Sequence, residues 1–175
     1  MKISCLSLLS FLIFTSTVGA AEIRDADRLL RVSNVASQFE SMTLLQTRNI
    51  IRTYTSIVAM SADVELPQWI KMEIAACYEQ RFAWKKFEDG IAQILLDNFS
   101  NHEMTLLTDF YRSEGLPPTE IPNFKAAIAK GEMIAQLTAD YIFANSDGCA
   151  KHDIDLILGF LADPQLESKK ILAAE

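Results

Sequence analysis

Apolar side chains recur at three- and four-residue spacings through almost every segment after residue 25, and nowhere do they alternate for the length of a strand. A chain with this period buries its apolar surface by packing helix on helix. The six glycines are too scattered for a series of hairpins. Leu29, Leu30 and Val32 mark a short first helix over residues 25–35. Phe39, Met42, Leu45, Ile50, Tyr54, Ile57 and Val58 spread a broad apolar face over residues 37–60. Pro67 suits the first turn of the next helix. Residues 68–99 keep helical spacing through Ile70, Ile74, Cys77, Phe87, Ile91 and Leu95, with a break expected between Arg81 and Trp84. Gly90 weakens that stretch by about 1 kcal/mol relative to Ala unless it marks a close helix contact.

Local chemistry then fixes several boundaries. Ser100-Asn101-His102-Glu103 reads as a capping box, in which the serine hydroxyl and the glutamate carboxylate each take a backbone N–H at the helix start. Gly115 is placed to end that helix, and Pro117-Pro118 forbid its continuation. Thr119 is set to cap one helix over residues 120–145, on Ile121, Phe124, Ile128, Ile134, Leu137 and Tyr141. Ser146-Asp147-Gly148 is a turn. Ile154, Ile157, Leu158 and Leu161 then give a last helix over residues 150–162. The expected fold is all-α: a compact helical bundle of about five to seven helices in one domain, residues 21–165, followed by a loose tail over 166–175.

The first twenty residues follow a different rule. Lys2 is a positive start, residues 3–14 are mostly apolar, and Val18-Gly19-Ala20 offers the small side chains a signal peptidase accepts. A membrane-spanning helix needs about 20 apolar residues, and this run is near a dozen. Residues 1–20 are therefore expected to be a cleaved signal peptide, and the protein to be exported, to the periplasm of a Gram-negative bacterium. Cleavage leaves 15 basic against 23 acidic side chains, a net charge of −8. That field repels phosphate backbones, so nucleic acid is not an expected partner. No transmembrane span is expected in the mature chain.

Cleavage also removes Cys5 and leaves Cys77 and Cys149. An oxidising compartment would let them pair. The bond would close a loop of 73 residues, worth somewhat over ~4 kcal/mol on the chain-entropy view. The alternative is two separate thiols, with Cys77 a small core residue beside Ala75 and Ala76.

The segment from Phe99 to Ser113 carries a resemblance. Phe99, Ser100, Glu103, Leu107, Phe110, Tyr111, Ser113, Gly115 and Pro122 can be laid on the pattern of the bacterial domain-of-unknown-function family 2059 (DUF2059). The family pattern is a capped helix running into an aromatic pair, a serine, a glycine and then a proline. This chain is one residue shorter between serine and glycine, and Pro117-Pro118 replace a continuing helix. The family-like core would span about residues 67–145. The resemblance implies an exported helical domain; it implies no activity and assigns no catalytic or binding residue.

The chain offers little catalytic chemistry. His102 lies in the capping box, and His152-Asp153-x-Asp155 sets its side chains in different directions around a helix start, so no metal site is expected. No nucleophile-elbow motif, glycine-rich phosphate loop or zinc-protease motif is present. Glu73 with Glu79 and Glu88 with Asp89 lack facing geometry. No cofactor is expected and no catalytic residue is assigned. Trp69, Tyr78, Phe82, Trp84 and Phe87 form an aromatic cluster that reads first as core; Trp69 and Trp84 are the candidates to line a groove. The expected function is a non-enzymatic interaction module for an envelope protein partner or an apolar ligand. The alternatives are a hydrolase-like enzyme with a site near residues 110–122 and a purely structural envelope component.

Overall fold

A computed structural model describes residues 18–146 and 148–163, with side chains from Ile23 onward. Most of the expected signal peptide (1–20) and the whole tail over 166–175 lie outside the described residues. Among the described residues every regular element is helical: α1 (Val18–Val32), α2 (Val35–Ala62), α3 (Gln68–Arg81), α4 (Glu88–Asn98), α5 (Asn101–Tyr111), α6 (Ile121–Ala129), α7 (Gly131–Asn145) and α8 (Ala150–Leu161). Short 3₁₀ turns, Trp84–Lys86 and Pro118–Glu120, precede α4 and α6. No described helix is long and apolar enough to cross a membrane.

The helix ends follow the local sequence. Asn34 takes a left-handed conformation (φ 55°) and turns α1 into α2, a geometry Asn tolerates because its short polar side chain bonds locally. Pro67 stands in extended conformation immediately before α3. The expected break after Arg81 is real: Ala83 is extended, and Trp84 opens a single tight turn before α4. Ser100 forms the full capping box with Glu103.

Two boundaries differ from the sequence reading. The fifth helix stops at Tyr111, before Gly115, because Ser113 already sits at φ 61° and the Glu114 N–H turns back to the Asp109 carbonyl. The helix expected over 120–145 is two helices that change direction at Lys130. The Lys130 N–H bonds back to Ala127 and the Ile134 N–H to the Lys130 carbonyl, so backbone bonding runs through the corner. The apolar period therefore carries almost no mark of it.

Side chains gather into two separate clusters. The larger joins α1, α4, α5, α6 and α7 through Ala26, Leu29, Leu30, Phe87, Ile91, Leu95, Met104, Leu107, Ala127 and Ile134. Phe87 is fully buried and meets Tyr141 edge-on at 6.4 Å. A Cβ added to Gly90 would overlap the Tyr141 ring, so this glycine allows α4 and α7 their close approach. The smaller cluster joins the C-terminal half of α2 to α3 and α8 through Val58, Leu66, Ile70, Ile74 and Ile157. Cys77 on α3 and Cys149 at the start of α8 form a disulfide, with Cα atoms 6.1 Å apart. Helix α2, roughly 42 Å long at 1.5 Å per residue, runs from one cluster to the other: Phe39 packs on the first and Val58 in the second.

Candidate functional site

The larger cluster does not close completely. Beside the α1–α2 turn an apolar groove of about 220 Å³ opens between six helices. Leu29 and Leu30 form one wall from α1, Leu95 and Phe99 the floor from α4, and Leu107 an edge from α5. Ala127, Ile128, Gly131 and Ile134 supply the far wall from the α6–α7 corner. The α6–α7 corner thus supplies four of the thirteen lining residues. Ser33, Gln38 and Tyr111 are its polar side chains, and Val35 completes the α1–α2 side.

The polar groups are already organised. The Ser33 hydroxyl donates to the Leu29 carbonyl at 2.7 Å, and the Gln38 amide donates to the Ser33 carbonyl at 3.2 Å. Beneath Phe99, the Lys130 ammonium donates to the Asn98 carbonyl at 2.9 Å and to Glu103 at 2.8 Å, and stands 5.5 Å from the Phe99 ring centre. Glu103 also accepts from the Ser100 N–H at 2.8 Å. The Lys130 hydrogen bond, reinforced by that N–H, holds the Glu103 carboxyl below its ordinary value. The capping box is therefore also a clamp, tying the α4–α5 junction to the α6–α7 corner that walls the groove.

Exposed apolar side chains continue from the mouth. Tyr111 and Ile128 line it and are about half exposed. Phe110 packs on Tyr111 and, at 4.8 Å between ring centres, on Phe124. Ile121 extends the same side of α6.

The residues singled out by sequence fall in several places. Phe99 and Tyr111 line the groove, while Ser100 and Glu103 brace it from behind. Ser113 and Gly115 shape the turn after α5, both at positive φ. Trp84 is buried against Phe39, with ring centres 5.7 Å apart, and Trp69 is 54% exposed on α3; neither lines the groove. At the corner over residues 110–122, His102 Nε2 lies 2.9 Å from Glu120, which also accepts from Asn123. Both side chains of that contact reach the surface. The Asn123 bond, then His102, lowers the Glu120 carboxyl from its ordinary value.

One group escaped the sequence reading. Asp153, treated there as a helix-start carboxylate, is fully buried in the smaller cluster. Its Oδ2 accepts from the Tyr78 hydroxyl at 3.1 Å, and its Oδ1 has no hydrogen-bond partner. Burial pushes its carboxyl above the ordinary value, against the lowering influence of Tyr78, His152 and Tyr54. Burial and the nearby carboxylate in turn raise the Tyr54 and Tyr78 phenols. A second, more polar hollow of about 320 Å³ lies over the disulfide, among Glu73, Cys77, Arg81 and His152. Among the described residues no three His, Cys, Asp or Glu side chains converge as a metal site would require.

Comparison of the chain with protein-family models, with curated proteins and with solved structures finds no match.

Proposed function

We propose that the protein is an exported, non-enzymatic binding module of the bacterial envelope, and that its groove takes a small apolar ligand. The groove itself carries this reading: nine of its thirteen lining residues are Leu, Ile, Val, Phe or Ala, it is open to solvent, and it sits where six helices meet. Concave apolar sites with a few placed polar groups are where small ligands bind. A dry cavity of about 150 Å³ accommodates benzene, so this groove suits a ring or a chain of about eight to ten carbons. At about 0.8 kcal/mol per buried methylene such a chain gains about 6–8 kcal/mol, and after the cost of immobilisation it binds with a Kd no tighter than about 10 µM. The terminal signal pattern, the disulfide and the resemblance to an exported helical family support the envelope setting.

The test uses N-phenyl-1-naphthylamine, an uncharged dye that brightens in apolar sites and whose ten-carbon naphthyl ring matches the capacity of the groove. Saturable enhancement in the micromolar range is expected for the mature protein, with loss in Ile128→Glu. Ile128 is half exposed, so the variant keeps its fold while placing a charge in the wall. Equal enhancement in both proteins, or none in either, contradicts the reading. The exposed Phe110, Tyr111 and Ile121 beside the mouth favour a second reading, in which an apolar side chain of a partner protein enters the groove; such a partner would compete with the dye.

A further inference from the structure

Resting on that reading, we infer that the groove selects uncharged single-chain amphiphiles with a proton to donate, such as alcohols or amides of a short alkyl chain, and discriminates against fatty-acid anions. Two independent features point this way. The lining holds no acidic or basic side chain; its polar groups are a hydroxyl, an amide and a phenol. Ser33 and Gln38 each direct one proton to a backbone carbonyl. Their oxygens remain to accept from a ligand hydroxyl or amide, while a carboxylate has no proton to give them.

The second feature is the fate of Lys130, a cation that stands against the lining side chain Phe99. A groove built for anionic amphiphiles would turn Lys130 toward the ligand. Here its ammonium is held by Glu103 and the Asn98 carbonyl, with Phe99 beside it. Glu103 is fixed in turn by the Ser100 N–H, so the charge is cancelled within the frame of the groove. An entering carboxylate or ammonium would lose water and meet no counter-charge in the lining, a costly exchange in an apolar site. The chain's formal charge of −7 adds a repulsive field against anions.

Displacement of bound N-phenyl-1-naphthylamine at pH 7.5 by octan-1-ol, octanamide, octanoate and octylamine decides the matter. All four share one chain and differ in the head. Octan-1-ol and octanamide are expected to displace the dye at concentrations at least tenfold lower than octanoate or octylamine. In Glu103→Gln, which removes the partner charge of Lys130, the gap between octan-1-ol and octanoate should narrow at least threefold. Octanoate or octylamine binding as well as octan-1-ol in the wild type overturns the selectivity and leaves the groove reading standing. An unchanged gap in a folded Glu103→Gln protein overturns the role given to Lys130. Failure of every head group to displace a dye that Ile128→Glu also fails to remove overturns the groove reading itself.

Discussion

The two clusters of this bundle solve the same packing problem with different means. The larger draws on five helices and an aromatic centre at Phe87, and the carboxylate at its edge, Glu103, accepts hydrogen bonds from Ser100 and Lys130. The smaller has five buried aliphatic residues, encloses Asp153 with one oxygen unpartnered, and is fastened by a disulfide. A small cluster buries too little apolar surface to hold a sequence-distant helix by packing alone. The covalent tie to α8 does what additional aliphatic side chains do elsewhere. The larger cluster, which the disulfide does not reach, is the one that leaves a groove open.

The largest expected effect separates the clusters directly. Cys77→Ser with Cys149→Ser should lower unfolding stability by about 4 kcal/mol, measured by guanidinium unfolding. Amide exchange should show the loss first at Ile70, Ile74 and Ile157, with Leu95 and Leu107 retaining protection longer. A loss below about 1 kcal/mol, or equal loss of protection in both clusters, breaks the contrast. Gly90→Ala probes the larger cluster. Helix propensity alone would stabilise by about 1 kcal/mol. Overlap with Tyr141, whose ring is held edge-on by Phe87, should reverse the sign and cost about 1–3 kcal/mol. A stabilised variant would show that α7 sits more loosely than its packing indicates.

Acid–base behaviour sharpens the comparison, because the two carboxylates have opposite linkage. Asp153 has a folded-state pKa above its unfolded value. Its contribution is fully present below the unfolded value and is lost as pH rises through the folded one. Glu103 is depressed, so its contribution is present above the unfolded value and is lost as pH falls through the folded one. The groups facing Asp153 are Tyr54 from α2, Tyr78 from α3 and His152 on α8 itself. Stability of the wild type relative to Asp153→Asn should therefore fall on going from acid to neutral pH, at no more than about 1.4 kcal/mol per pH unit. Parallel curves for the two proteins would remove Asp153 as the cause. The smallest effect is expected for Ser100→Ala, about 1 kcal/mol from a lost N-cap, read as a lower thermal midpoint. An unchanged midpoint would mean that the Lys130–Glu103 pair braces the corner without the cap.

Much of this architecture was legible in the residues, and the illegible parts share a cause. Periodicity marks the helical segments and local residue chemistry marks the break after Arg81 and the cap at Ser100, because each depends on neighbours within one turn, whereas the split of residues 120–145 at Lys130 leaves the apolar period unbroken. The disulfide could be posed as a choice but not decided, since it depends on a 73-residue loop returning Cys149 to Cys77. Periodicity also tells which face of a helix is apolar without telling what covers it. Trp69 and Trp84 look alike in the sequence, yet α3 leaves the first exposed and the turn before α4 buries the second. The groove was hidden for the same reason: Leu29, Leu107 and Ile134 become neighbours only after the chain turns at Asn34 and Lys130. Asp153 reads as a solvated first-turn acid, and only the docking of α8 on Tyr78 buries it.

The central claim is that the molecule binds small uncharged ligands between α1 and the α6–α7 corner. Backbone chemical-shift mapping of the isotope-labelled mature protein, titrated with octan-1-ol, tests it most directly. The account predicts saturable shifts concentrated at Leu30, Ser33, Leu107, Ile128, Gly131 and Ile134, with Ile70, Ile74 and Asp153 unmoved. Shifts spread evenly over the surface, or centred on the cluster beside the disulfide, would contradict it.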